Sequence, residues 1–222
     1  MSVNLESVRA QVRVLVGEAN LTTLTDDAMS DIIAKALARY SRVRPVRLVS
    51  AMTGNTTGIY ALPSSFEPGF SQILEVEYPT GKAPKETIED EFFEKDRTPT
   101  GHVLRFSGCN PGNGETFWLK YTGVHSASSD GVVDEMPEAD QAGFEYLCSS
   151  LICTKLASFY ASKANPSLPG TEIVAFNERV AEYSSMANKW MDRFNAEIKD
   201  ECTGLIGSMD FIKGEYFERD DE

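Results

Sequence analysis

No run of about 18 apolar residues occurs in these 222 residues, so no transmembrane helix is expected. The opening Met1-Ser2-Val3-Asn4-Leu5-Glu6 lacks both the basic region and the apolar core of a signal peptide, which argues against secretion. Four cysteines are present (Cys109, Cys148, Cys153, Cys202) and no two have CxxC spacing, so neither a zinc site nor a thioredoxin-type motif is read. Cys148 and Cys153 fall on a helical stretch, where a buried free thiol is the simplest reading, and a reducing compartment fits. Histidine is scarce: His102 falls on an expected strand and His125 in a polar loop, and no nucleophile motif points to either. Gly81-Lys82 and Gly112-Asn113-Gly114 lack the full phosphate-loop spacing and read as turns. Positive charge is also short. Lys and Arg number 21 against 34 Asp and Glu, for a net charge of −13 and a pI of about 4.7. Conventional nucleic-acid binding by phosphate neutralisation is thereby disfavoured. No internal repeat is found, which excludes a solenoid.

What is present is helical at both ends. Residues 3–16 carry Val3, Leu5, Val8, Val12, Leu15 and Val16 on one face, and Gly17 begins the exit. A second helix opens at the N-cap Thr25, with Asp26 and Asp27 favourably placed in its first turn. Its apolar face is Met29, Ile32, Ile33, Ala36, Leu37 and Tyr40. Arg39, Arg42 and Arg44 gather at the carboxyl end before Pro45. The dominant stretch is Pro137 to Phe194. Phe144, Leu147, Leu151, Ile152, Leu156, Phe159 and Tyr160 form one stripe. The break Asn165-Pro166-Ser167-Leu168-Pro169-Gly170 interrupts it. Ile173, Phe176, Val180, Tyr183, Ala187, Trp190 and Phe194 then follow a heptad seam. An antiparallel helical hairpin results.

Between these helices the pattern is β-rich. Val46–Ser50, Gly58–Leu62 and Ile73–Tyr78 read as strands. A hairpin is expected of His102–Phe106 with Glu115–Tyr121 across a turn-rich connector, and Lys85–Asp96 as a short helix. Residues 123–135 read as a polar acidic loop. The fold class is mainly α with an inserted β-module (α+β): a four-helix bundle carrying a small antiparallel β-domain and an extended C-terminal tail. Its divisions are 1–45 (first bundle helices), 46–125 (β-module), 126–200 (helical hairpin) and 201–222 (tail).

Asp130, Asp134, Glu135, Glu138 and Asp140 are the densest carboxylate cluster, but they do not follow a Ca²⁺-loop pattern and read most simply as a solvated loop. A metal-dependent hydrolase using them is the outside alternative. No catalytic residue, metal or cofactor is assigned. In the tail, Met209, Phe211, Ile212, Tyr216 and Phe217 either pack back on their own bundle or order on a partner.

An ordered set of features carries a family resemblance over roughly residues 20–195. Leu24-Thr25-Asp26-Asp27 and Ala38-Arg39-Tyr40-Ser41-Arg42 bound an early helix. Tyr60-Ala61-Leu62-Pro63-Ser64-Ser65-Phe66 is similar to the Tyr-x-Leu-Pro-x-x-Phe that opens a β-module. A strand near Val76, Trp118-Leu119-Lys120-Tyr121-Thr122, and the long helix Glu145–Cys153 with Ala157 and Tyr160-Ala161 follow in order. The chain thus resembles the head–tail connector, or adaptor, proteins of tailed bacteriophages. The resemblance implies a non-enzymatic virion protein of the neck, made in the bacterial host cytoplasm. It implies a ring of copies, commonly twelve, beneath the portal protein. That ring extends the DNA channel, with no sequence-specific DNA contact and no membrane, and joins the next neck or tail protein. Another neck or tail-completion ring is the closest alternative. The resemblance gives Met209, Phe211, Ile212, Tyr216 and Phe217 the role of gripping the portal. It leaves Asp130, Asp134 and Glu135 as a possible tail- or neighbour-contact loop. Two physical features agree with it. An acidic chain suits a bore through which DNA slides, and a helical body with a projecting β-module offers the unlike faces that head-to-tail contacts need.

Overall fold

The computed structural model describes residues 3–17, 24–99, 101–127, 132–133, 136–163 and 170–205; for 132, 170–172 and 199–205 it describes the backbone alone. The fold is α+β, with four α-helices and antiparallel sheets among the described residues. Helix α1 (Leu5–Val16) is capped by Asn4, whose side chain accepts from the Glu6 N–H at 2.8 Å. It closes at Gly17, whose φ of 75° is the left-handed conformation that glycine adopts without strain. Val8, Val12 and Val16, one helical turn apart, are its buried line. Helix α2 (Asp26–Val43) starts at Thr25, which accepts from the Ala28 N–H at 3.3 Å. Arg13 of α1 reaches Asp26 at 2.7 Å, and Arg9 donates to Ser30 at 2.8 Å.

Helix α3 (Gln141–Lys163) is the centre of the helical layer, with α1, α2 and α4 (Gly170–Leu205) all packed on it. Its burial is wider than the stripe read from sequence. Cys148, Ser149, Ser150 and Cys153 are buried as well as Phe144, Leu147, Ile152 and Leu156. The small polar residues tolerate this because their hydroxyls bond backbone carbonyls: Ser149 to Glu145 at 2.8 Å, and Ser150 to Ala187 of α4 at 2.8 Å. On α4 the heptad seam faces α3. Tyr183, Ala187, Trp190 and Phe194 are buried, Ile173, Phe176 and Val180 are half-buried, and Ile198 extends the line. Tyr160 stacks on Tyr183 at 5.5 Å and Tyr146 on Trp190 at 5.4 Å.

Among the described residues the strands form three sheets. Strand β1 (Val3–Asn4) pairs with β9 (Val132–Val133) against the helices. The stretch 123–135 is therefore not wholly a loop, because Val133 supplies a fully buried side chain to the helical core. Strands β2 (Val46–Thr53), β3 (Ile59–Ala61), β4 (Ile73–Glu77), β5 (Thr87–Ile88), β6 (Phe93–Thr98), β7 (Gly101–Phe106) and β8 (Thr116–Gly123) build the module between α2 and α3. They make one sheet in the order β2-β8-β4-β5 and a second in the order β3-β7-β6. A separate core of Tyr60, Phe66, Val76, Ile88, Leu104, Phe106, Phe117, Leu119 and Tyr121 lies between them.

Two expectations fail here. β7 and β8 are not a hairpin: β7 pairs with β3 and β6, β8 with β2 and β4, and the two meet through side chains, Phe106 to Phe117 at 5.6 Å. Their turn-rich connector instead crosses between sheets and is tied to the end of β2. Gly54 donates to Glu115 at 2.7 Å and Gly114 to Gly54 at 3.0 Å. A Cβ on Gly54 would lie 2.1 Å from the Gly112 carbonyl oxygen, so only glycine permits that approach. Lys85–Asp96 is likewise no helix but β5, a 3₁₀ turn at Asp90–Phe92, and the start of β6. Ile88 and the half-buried Phe92 and Phe93 are spent on the module core, which an extended path with one turn satisfies.

Candidate functional site

The chemically richest place is the joint between the helical layer and the β-module. Tyr40 lies near the end of α2, Arg44 just beyond it, His125 just after β8, and Asp140 just before α3. Asp140 is 1% exposed and Tyr40 fully buried. The Tyr40 hydroxyl donates to Asp140 Oδ2, and Arg44 Nη1 donates to Asp140 Oδ1 at 2.9 Å. Arg44 Nη2 also lies 3.5 Å from the Ile198 carbonyl of α4. His125 is 5% exposed, with its ring 5.2 Å from that of Tyr40. Its Nε2 stands 2.9 Å from the Arg44 carbonyl oxygen, which can only accept, so Nε2 carries the hydrogen. Its backbone N–H donates to Ser41 Oγ at 3.0 Å, which donates in turn to Leu37. One carboxylate thus holds the end of α2, the entry to β2 and the start of α3 together, and α4 is drawn in through Arg44. The arrangement is a buried, charge-assisted clamp.

Asp140 corrects a sequence expectation. It belongs to the solvated acidic cluster by composition, yet it is buried and paired. The legible signal was its spacing: Asp140, Phe144, Cys148 and Ile152 fall four apart on the buried line of α3. Glu138 is exposed. Asp130, Asp134 and Glu135 lie outside the described residues, as do Met209, Phe211, Ile212, Tyr216 and Phe217. Among the described residues no three His, Cys, Asp or Glu side chains gather as metal ligands. Nor is any described helix long and apolar enough to cross a membrane.

Beside the clamp an open groove of about 880 Å³ runs along β2. It is walled by Val46, Leu48 and Val49 on one side and Pro63, Ser65 and Glu67 on the other. The Tyr60–Phe66 segment that forms its far wall is anchored at both ends. Tyr60 is buried edge-on to Phe106 and Phe117 and donates to Asn110 at 2.7 Å, and Phe66 packs on Tyr121. On the outer face of the larger sheet, a register shift between Ile73 and Glu75 turns Glu75 and Glu77 to the same side as Lys120. Lys120 donates to Glu77 at 3.0 Å and forms an ion pair with Glu75 at 3.3 Å, and Lys85 caps the pair. The Lys120 ammonium bonded to it, helped by the Gly81 N–H, holds the Glu77 carboxyl below its ordinary value. Burial pushes the Cys148 thiol up, with the nearby Glu145 adding to it.

No family model matches the sequence, and no curated protein matches it either.

Proposed function

We propose that this chain is a head–tail connector of a tailed bacteriophage: a structural subunit of the neck. Copies would form a ring under the portal, extending the DNA channel and giving the tail its platform. On this reading the four helices act as one bundle, and the β-module is the part that meets other subunits. What carries the proposal is where the residues of the family resemblance fall. Thr25, Asp26 and Asp27 open α2, Tyr40 sits in the clamp, Tyr60 and Phe66 fix the β-module core, Trp118–Thr122 lie in the central strand β8, and Glu145–Cys153 lie in the central helix α3. They fall on a helix cap, the clamp, the module core and the two central elements β8 and α3. The clamp makes helices and module a single body, which a load-transmitting ring requires. The acidic chain, at −13 per copy, would keep DNA from adhering to the bore. Met209, Phe211, Ile212, Tyr216 and Phe217 would grip the portal.

The test is co-assembly with a portal ring from the same phage. The intact chain should bind it. A variant lacking residues 203–222 should lose binding while keeping its helical circular dichroism. Unchanged binding by the shortened chain would refute the role of the tail, and no binding by the intact chain would refute the connector reading.

A further inference from the structure

Among the described residues, the larger sheet of the β-module has two edge strands with no further partner, and the charges flanking them differ. One is β2, eight residues long and paired only with β8; the other is the two-residue β5. At about 4.8 Å per strand the edges stand roughly 14 Å apart. An edge strand turns half of its backbone N–H and C=O groups away from its neighbour, ready for another chain.

The flanks of the two edges differ. At the start of β2, Arg47 is exposed and sits opposite Thr122. The exposed Arg42 lines a small cavity with that same Thr122 and with Gly69, Phe70 and Gln72, at the same end of the sheet but across β8 from the open edge. Arg39, also exposed, is one helical turn earlier. At the β5 side, Glu89, Asp90 and Glu91 are exposed on the turn that crosses from β5 to β6, itself an edge of the smaller sheet. Glu86 and Glu94 stand exposed on either side of them. Among the described residues, Arg39, Arg42, Arg47, Glu89, Asp90 and Glu91 make no ion pair within the chain, whereas Glu86 and Glu94 have Lys82 and Arg105 near them. The groove beside β2 leaves that strand accessible, with Glu67 the one carboxylate in its wall.

We infer that the β2 edge of one copy docks on the β5–β6 edge of the next, with Arg47 facing Glu89, Asp90 and Glu91 and Arg42 adding positive charge at the same end of the sheet. This deepens the connector reading and rests on it only for the purpose of the contact. The acidic turn docked against itself would gather carboxylates, which disfavours that symmetric alternative. A two-fold β2–β2 pair would not need the acidic turn, and reversing Glu89 and Glu91 tells it apart. Two unlike, mutually complementary edges on one body give a head-to-tail contact, the kind that repeats into a ring or filament. Backbone pairing of β2 with the short β5 edge adds adhesion, and the charges supply register and choice of partner.

Charge reversal tests it on the intact chain by sedimentation velocity at tens of micromolar. The wild type should self-associate at about 0.05 M salt, and less as the Debye length falls toward about 3 Å near 1 M. Arg42→Glu/Arg47→Glu should lose association about tenfold or more, and so should Glu89→Lys/Glu91→Lys. Mixed in equal amounts, the two variants should assemble again, because each reversed edge now faces its complement. Circular dichroism and melting midpoints like those of the wild type show that both variants are folded. A wild type that stays monomeric at low salt overturns the inference, as do reversed variants that still assemble alone or folded variants whose mixture stays apart. Portal binding, measured separately, fails only if the connector reading is wrong, so the two failures are distinguishable.

Discussion

Arg44 donates to Asp140 at 2.9 Å across 96 residues of sequence, and the whole β-module is strung between them. The pair closes the module on itself and fixes it to the helices. With Asp140 1% and the Arg44 side chain 16% exposed, the bond is largely shielded from solvent.

Removing one partner from such a pair leaves a charge without compensation. Asp140→Ala should cost about 3–5 kcal/mol in urea unfolding. Arg44→Met/Asp140→Leu together should cost less than Asp140→Ala, because no orphan charge remains. A loss under ~1 kcal/mol for Asp140→Ala would mean that the clamp does not hold the joint.

The Glu77–Lys120 contact sets a pH dependence. Glu77 has its carboxyl held below 4.5 in the folded protein, chiefly by the Lys120 hydrogen bond. The unfolded chain therefore takes up this proton first as pH falls. The contribution is fully present above the ordinary value of 4.5 and fades as pH drops through the lower folded value. Glu77→Gln should flatten the acid limb of a plot of urea midpoint against pH. An identical acid limb in the variant would contradict the assignment.

Thiol chemistry should divide the cysteines. Cys109 is exposed, while Cys148 and Cys153 are buried, and burial pushes the Cys148 thiol up. At pH 8 a maleimide should label Cys109 within minutes and leave Cys148 and Cys153 unlabelled until denaturant is added, as read by peptide mass spectrometry.

The α3–α4 seam should be sensitive at its buried positions. Trp190 stacks on Tyr146, with Arg193 4.9 Å above its ring. Trp190→Ala should cost about 3–5 kcal/mol. Val174→Ala, at a position 56% exposed on the same helix, should fall within about 0.5 kcal/mol of wild type. Equal effects at the two positions would contradict the packing.

Much of this was legible in sequence where the signal is local. Thr25 announces α2 through its cap, and the heptad from Ile173 to Phe194 marks the face that α4 turns to α3. The misreadings were of a different kind. The glycines and asparagines at 108–114 mark a change of direction, but turn chemistry alone does not tell a hairpin from a crossing between stacked sheets. Phe92 and Phe93 allow a helix or a strand, and the choice is made by the β-module core they fill. The spacing of Asp140 with Phe144, Cys148 and Ile152 marks its burial, but its partners, Tyr40 and Arg44, lie about a hundred residues away and no local signal names them. The opposed charges of β2 and the β5–β6 turn become an arrangement only once the strand order is known.

The most direct measurement of the connector claim is the copy number of this chain against the portal protein in purified phage particles, by quantitative mass spectrometry. The account predicts one copy per portal subunit. Half as many copies would place the chain in a lower neck or tail-completion ring, and absence from the particle would contradict the connector reading altogether.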